Sequence, residues 1–290
     1  MTENTKSGKR NSQFREVARR FFKSKLATLG FVLFMIVLFF AIFANVFGSY
    51  EEAITQDIMN KNQTPSAEHW FGTDNYGRDL FLRCIHGARI SLLISFAASI
   101  LSAILGCITG MTAAYYGGKY EDIMMRLMDV FSAVPTILLA ICVVAALGTS
   151  SVNLIIAMAL ARTPSFTRIA RGAALTVAGQ EYIEAARCGG TSDWRIIMRH
   201  IFPNAMAPVI ITFTGNISAM ILQNASLSFL GLGVPAPAPE WGAIISGAKG
   251  FMRNFPHMIW FPGLCIIVAA LSISLIGDGL RDALDPRLKS

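Results

Sequence analysis

The sequence predicts an all-α integral membrane protein with six transmembrane helices and both termini cytoplasmic. Three observations lead there. Of 290 residues, 53% are hydrophobic and 15% charged, and the mean hydropathy is +0.51; soluble domains carry about 25% charge. Apolar runs long enough to cross about 30 Å of hydrocarbon, roughly 20 residues each, recur along the chain. Lysines and arginines crowd the stretch from Lys6 to Lys25, just ahead of the first apolar run. That arrangement keeps an N-terminus cytoplasmic. The net charge of +7 is thus an orientation signal rather than a nucleic-acid footprint.

Residues 1–25 form a basic N-terminal segment. Within it Phe14, Val17, Ala18, Phe21 and Phe22 recur at helical spacing, which predicts an amphipathic helix lying against membrane lipid. Residues 26–47 follow as an uncharged run, longer than the 7–15 residues or so of a signal-peptide core. This is the first expected transmembrane helix. The segment 48–89 is the expected extracytoplasmic loop, in which acids such as Glu51, Asp57 and Asp74 outnumber the cations. Gly72-Thr73-Asp74-Asn75 reads as an N-cap for a helix starting near Arg78.

Residues 90–280 form a five-helix core, with spans expected near 90–114, 123–147, 152–171, 205–230 and 258–277 and a cytoplasmic loop at 172–204. In the fourth, Arg162, Pro164 and Arg168 interrupt the apolar pattern. An even number of crossings nevertheless puts both chain ends, the latter being the tail 281–290, on the cytoplasmic side. Asp129 and Arg162 are ionisable groups in apolar context, which marks them as functional candidates or as groups near an interface. The fifth span carries Asn216, Gln223, Asn224 and Ser226 among other polar residues. These either bond between helices or line a hydrated path.

Catalysis is not indicated. There is no P-loop, no H-E-x-x-H and no G-x-S-x-G, the four histidines are scattered, and the five cysteines lack disulfide or metal spacing. No catalytic residue, cofactor or metal site is expected in this chain.

The unusual stretch is Glu181–Pro208, with six formal charges and a histidine between apolar segments. Gly189-Gly190 breaks it into a helix ending near Cys188 and a second that Thr191, Ser192 or Asp193 caps and Pro203 closes. Trp194, Ile197 and Ile201 share one face of the second helix. The pair is either an interfacial connector or a docking element for another protein.

Glu184, Ala185, Ala186, Gly190 and Pro203 satisfy E-A-A-x3-G followed by a distal proline. This resembles the EAA loop of binding-protein-dependent ABC importers. WFGTDNYGRDLFLRCIHGARISL (70–92), LSFLGLGVPAPAPEWG (227–242) and GDGLRDALDPRL (277–288) are similar to segments of dipeptide and oligopeptide permeases. Many relatives carry an acidic residue just before the L-S-F-L-G run, where this chain has Asn224-Ala225-Ser226. The resemblance implies coupling to an ATPase through Glu184, Ala185, Ala186, Arg187, Gly190, Asp193 and Pro203. It implies a translocation path along Asn216, Gln223, Asn224 and Ser226. Implied partners are a second homologous permease, two cytoplasmic ATPase subunits that hold ATP and Mg, and an extracytoplasmic substrate-binding protein, all at the inner (cytoplasmic) membrane. The implied cargo is a di- or oligopeptide, with nickel or metal chelates as the alternative. An ion-coupled secondary transporter and a membrane scaffold are the readings from other classes.

Overall fold

A computed structural model describes residues 15–284. Phe14 and the cations up to Arg10 lie outside the described residues, as do residues 285–290 of the expected tail. Every regular element among the described residues is helical.

Helix α1 spans 15–23 and α2 spans Lys25–Ile42. Ser24 separates them, its hydroxyl accepting the Ala27 N–H at 3.4 Å. Two short helices, α3 (Ala44–Phe47) and α4 (Tyr50–Ile54), lead into an irregular loop. Helix α5 then runs without a break from Leu80 to Tyr116, about 55 Å at 1.5 Å per residue. It starts well before the expected position 90. Asp79, not the Gly72–Asn75 stretch, is its cap, accepting the Leu82 N–H at 2.9 Å. The polar residues that disguised its first turns all find partners. Arg83 meets Asp74 at 3.4 Å and the Ala53 carbonyl at 3.1 Å. His86 bonds the Gly48 carbonyl at 3.0 Å, and Arg89 donates to the carbonyls of Ala41 and Ile42 that end α2. Asp74 instead folds the loop, accepting the Tyr76 and Arg78 N–H groups and the Arg78 side chain.

The expected continuous span 123–147 is two helices, α6 (Gly118–Ala133) and α7 (Thr136–Leu147), meeting at 88°. Pro135 is the cause. A residue before proline is pushed into extended backbone, and Val134 has φ −96° and ψ 132°. Helix α8 covers Ser151–Ala178, α9 Glu181–Cys188 and α10 Asp193–Ile196. A wide π turn, Ile197–Ile201, joins α10 to α11 (Phe202–Phe229). After a loop come α12 (Trp241–Ala248) and α13 (His257–Leu284).

Pro203 therefore does not close the second helix of the charged stretch. The π turn shifts the register so that the Phe202 N–H reaches the Ile197 carbonyl. Pro203 then sits at the first positions of α11, where its missing N–H costs nothing. Asp193–Phe229 is one continuous rod.

Among the described residues, α2, α5, the α10–α11 rod and α13 are long and apolar enough to cross a membrane, and α6 with α7 makes a fifth crossing if counted together. Helix α8 carries three arginines and is less apolar. Its Leu154, Met158, Phe166 and Ala170 are buried against α5, α7 and α11. Close approach of α5 and α8 depends on glycines. A Cβ on Gly110 would lie 2.3 Å from the Thr167 carbonyl oxygen, and one on Gly106 would lie 2.3 Å from the Phe166 Cβ. Helices α2 and α13 meet the same way, with Gly279 against Ala27 and Gly30 against Ser272. Toward the outside, Leu29, Val32, Ile36 and Phe39 of α2 and Leu264, Ile267 and Leu271 of α13 form exposed apolar stripes. Such stripes belong in lipid.

The start of α2, the end of α13 and α9 share one end of the bundle, here the lower end. Residues 44–79 and α12 occupy the upper end.

Candidate functional site

Helix α9 meets the bundle through one fully buried side chain, Ile183, and through Arg187. Ile183 is fully buried in the lower core with Met111, Phe166, Ile196 and Ile201. Glu181, Glu184, Ala185 and Arg187 are exposed and Ala186 is half-buried. The helix ends through Gly190, whose φ of +73° is a left-handed value that suits glycine. The Thr191 N–H closes the turn on the Ala186 carbonyl at 3.1 Å.

Arg187 and Asp193 flank that turn and bind inward to α5. The Tyr115 hydroxyl donates to Asp193 Oδ1 at 2.7 Å. The Arg187 guanidinium lies 4.4 Å over the Tyr115 ring and donates to its carbonyl at 3.3 Å. These two residues set the angle of α9 against α10, while Glu184, Ala185 and Gly190 form the outward, small-residue surface. Pro203 is exposed at the base of α11. Trp194 does not share the buried face of Ile197 and Ile201. It is 65% exposed, and Ile196 takes the inward place. The continuation through the π turn rotates the helix relative to a plain 3.6-residue count.

Along α11, Thr212, Asn216, Ala219, Gln223 and Ser226 fall at alternating spacings of four and three, one stripe of a helix. Asn216 donates to Ser99 of α5 at 3.0 Å. Both amide atoms of Gln223 are buried with no hydrogen-bond partner among the described residues. Ser226 is exposed and bonds its own helix at Leu222. Asn224 lies off the stripe, buried, donating to Glu240 at 3.0 Å. Below, the stripe opens on a polar crevice of about 570 Å³ between α8, α11 and α13.

The sequence reading missed Glu240. It is fully buried. One oxygen accepts from Ser91 of α5 and Asn224 of α11, and the other caps α12 through the Ala243 N–H at 2.9 Å. The carboxylate looked for beside the L-S-F-L-G run thus arrives from across the loop. The adjoining Trp241 donates its indole N–H to the Cys84 carbonyl at 2.8 Å. No local signal marks Glu240, since its partner Ser91 lies 149 residues away. Asp129 pairs with Arg168 at 2.9 Å, largely exposed.

Comparison with known proteins decides the family. The profile described as "Binding-protein-dependent transport system inner membrane component" matches residues 102–290. The chain belongs to this family. The "N-terminal TM domain of oligopeptide transport permease C" matches residues 12–65. The permease is 43% identical over 96% of its length to the dipeptide transport system permease protein DppC of Alkalihalophilus pseudofirmus, covering 91% of that protein. It is 42% identical over 94% of its length to the glutathione transport system permease protein GsiD of Escherichia coli, covering 90% of it. A chain of the MetNI methionine ABC transporter in inward-facing conformations shares the fold, at TM-score 0.57 and 16% identity, over 70% of the permease and 97% of that chain. The permease is a multi-pass protein of the bacterial inner membrane and a component of an ABC transporter for import.

Proposed function

We propose that this permease is one of two membrane-spanning subunits of an ATP-driven importer of di- or oligopeptides. It pairs with a second homologous permease, two cytoplasmic ATPase subunits and an extracytoplasmic substrate-binding protein. ATP and Mg are held by the ATPase subunits. The printed activities of its relatives, dipeptide and glutathione transport, both concern short peptides and support that cargo class.

The observation that carries the coupling role is the division of labour in α9. One buried side chain, Ile183, anchors it, and Glu184, Ala185 and Gly190 face outward at the lower end. Small residues let a partner's backbone approach, and Glu184 offers a charge to a basic neighbour. Arg187, Asp193 and Pro203 belong to the same unit as positioning residues. Coupling requires that α9 contact the open and closed ATPase dimers differently, because a ligand indifferent to two states shifts neither. The path runs along Asn216, Gln223 and Ser226, with Asn224 beside them.

The test is co-purification of the ATPase subunits from detergent-solubilised membranes. Glu184→Lys changes an exposed charge without touching the core. It lowers the recovered ATPase at least ten-fold while the permease pair stays intact. Unchanged recovery sinks the coupling role. Capture of the binding protein followed by mass analysis of its ligand checks the cargo. A ligand other than a short peptide refutes that part.

A further inference from the structure

Helix α8 carries three arginines, and the structure treats them differently. Arg168 pairs with Asp129 at 2.9 Å and bonds Ser132, and Arg171 pairs with Glu121. Both partners belong to α6. Arg162 stands apart. It lines the crevice between α8, α11 and α13, and its Nε is buried with no acceptor among the described residues. A guanidinium within a membrane span is retained where it pairs or where it serves a pathway.

The rest of the crevice fits a ligand with both charges. Asp278 and Arg281 of α13 line the opposite wall, and Thr212 and Asn216 of α11 supply neutral polar groups. Gly215 leaves open space, with nothing within 4 Å of where a Cβ would stand. The volume of about 570 Å³ falls in the range of small-ligand sites. Two guanidiniums against one carboxylate favour an anionic group, and a guanidinium matches a carboxylate in a two-pronged fashion.

We propose that this crevice is a way-station for a zwitterionic peptide in transit, in which Arg162 receives the peptide carboxylate and Asp278 its ammonium. The proposal rests on the importer reading above. A station of this kind has to be weak. It offers few fixed donors and opens widely, so cargo arrives and leaves in each cycle. Thr212, Asn216 and Ala219 line it, so the polar stripe of α11 leads into it.

The test uses the complete transporter in proteoliposomes, with uptake of a radiolabelled dipeptide and ATP hydrolysis read in the same vesicles. Arg162→Gln lowers uptake per ATP hydrolysed at least ten-fold, with ATP hydrolysis within two-fold of wild type. Arg162→Lys, which keeps the cation, recovers much of the loss. Unchanged uptake per ATP in Arg162→Gln overturns the proposal. So does a defect that vanishes in vesicles made only of phosphatidylcholine, because the crevice then holds an anionic lipid phosphate. Should Arg162→Gln fail to assemble, Gly215→Leu decides, since Gly215 lines the crevice and a Cβ there meets nothing within 4 Å. An assembled Gly215→Leu transporter with full uptake per ATP refutes the station. Wild-type vesicles that neither take up binding-protein-delivered dipeptide nor hydrolyse ATP in response would refute the importer reading itself.

Discussion

Glu240 joins three helices through a single side chain. Its carboxylate accepts from Ser91 on α5 and Asn224 on α11 and caps α12. Truncation to alanine leaves two buried donors without acceptors and removes a helix cap. An orphaned buried group costs about 1–3 kcal/mol and a lost cap about 1. Glu240→Ala therefore lowers the unfolding temperature of the purified permease by several degrees, read by thermal-shift in detergent. Glu240→Asp keeps the charge but shortens the reach, and it falls between wild type and alanine. Equal stability of Glu240→Ala and wild type would contradict the three-way tie. Such residues are the least legible from sequence. The polar stripe of α11 and the isolated arginine of α8 could be picked out by type and position. The carboxylate that meets Asn224 could not, because the contact is made by the return of a loop and not by helical spacing.

Two prolines at element junctions, Pro203, which the sequence singled out, and Pro135, which it did not, behave oppositely. Pro135 bends α6 and α7 to 88° because Val134 before it is forced extended. Pro203 ends nothing, because a π turn supplies the extra residue that moves its missing N–H to a helix start. The expectation that Pro203 closes a helix fails because the register there goes with the burial of Ile196, Ile197 and Ile201, a tertiary demand. Helices α9 and α10 were legible from Gly189-Gly190, and their angle was not. That angle is held by Tyr115, Arg187 and Asp193. Tyr115→Phe and Asp193→Ala each remove the same hydrogen bond, so the double variant destabilises by less than the sum of the two. The difference is about 1 kcal/mol, measured by denaturant unfolding of the solubilised permease. Strict additivity would show that the bond does not form.

At the scale of the whole molecule, the apolar spans and the shared end of α2, α9 and α13 follow from composition, charge placement and parity. The enclosed position of α8 does not. Its arginines made it the least apolar span, and packing against α5 through Gly106 and Gly110, and against α7 and α11, buries Leu154, Met158 and Phe166. The proposed orientation places α9 inside the cell and the 48–79 loop outside. In intact cells and in a cysteine-free background, a membrane-impermeant maleimide labels cysteine introduced at the exposed Ala67. It does not label Cys188 restored at the tip of α9 until the membrane is opened. The reverse pattern would invert the topology.

The unbroken run from Asp193 to Phe229 has a mechanical consequence. A rod of 37 residues is about 55 Å long, and its foot and shaft belong to one helix through the π turn. A tilt of this rod by about 10° about its foot would carry its head roughly 10 Å sideways, at the turn that Glu240 fastens.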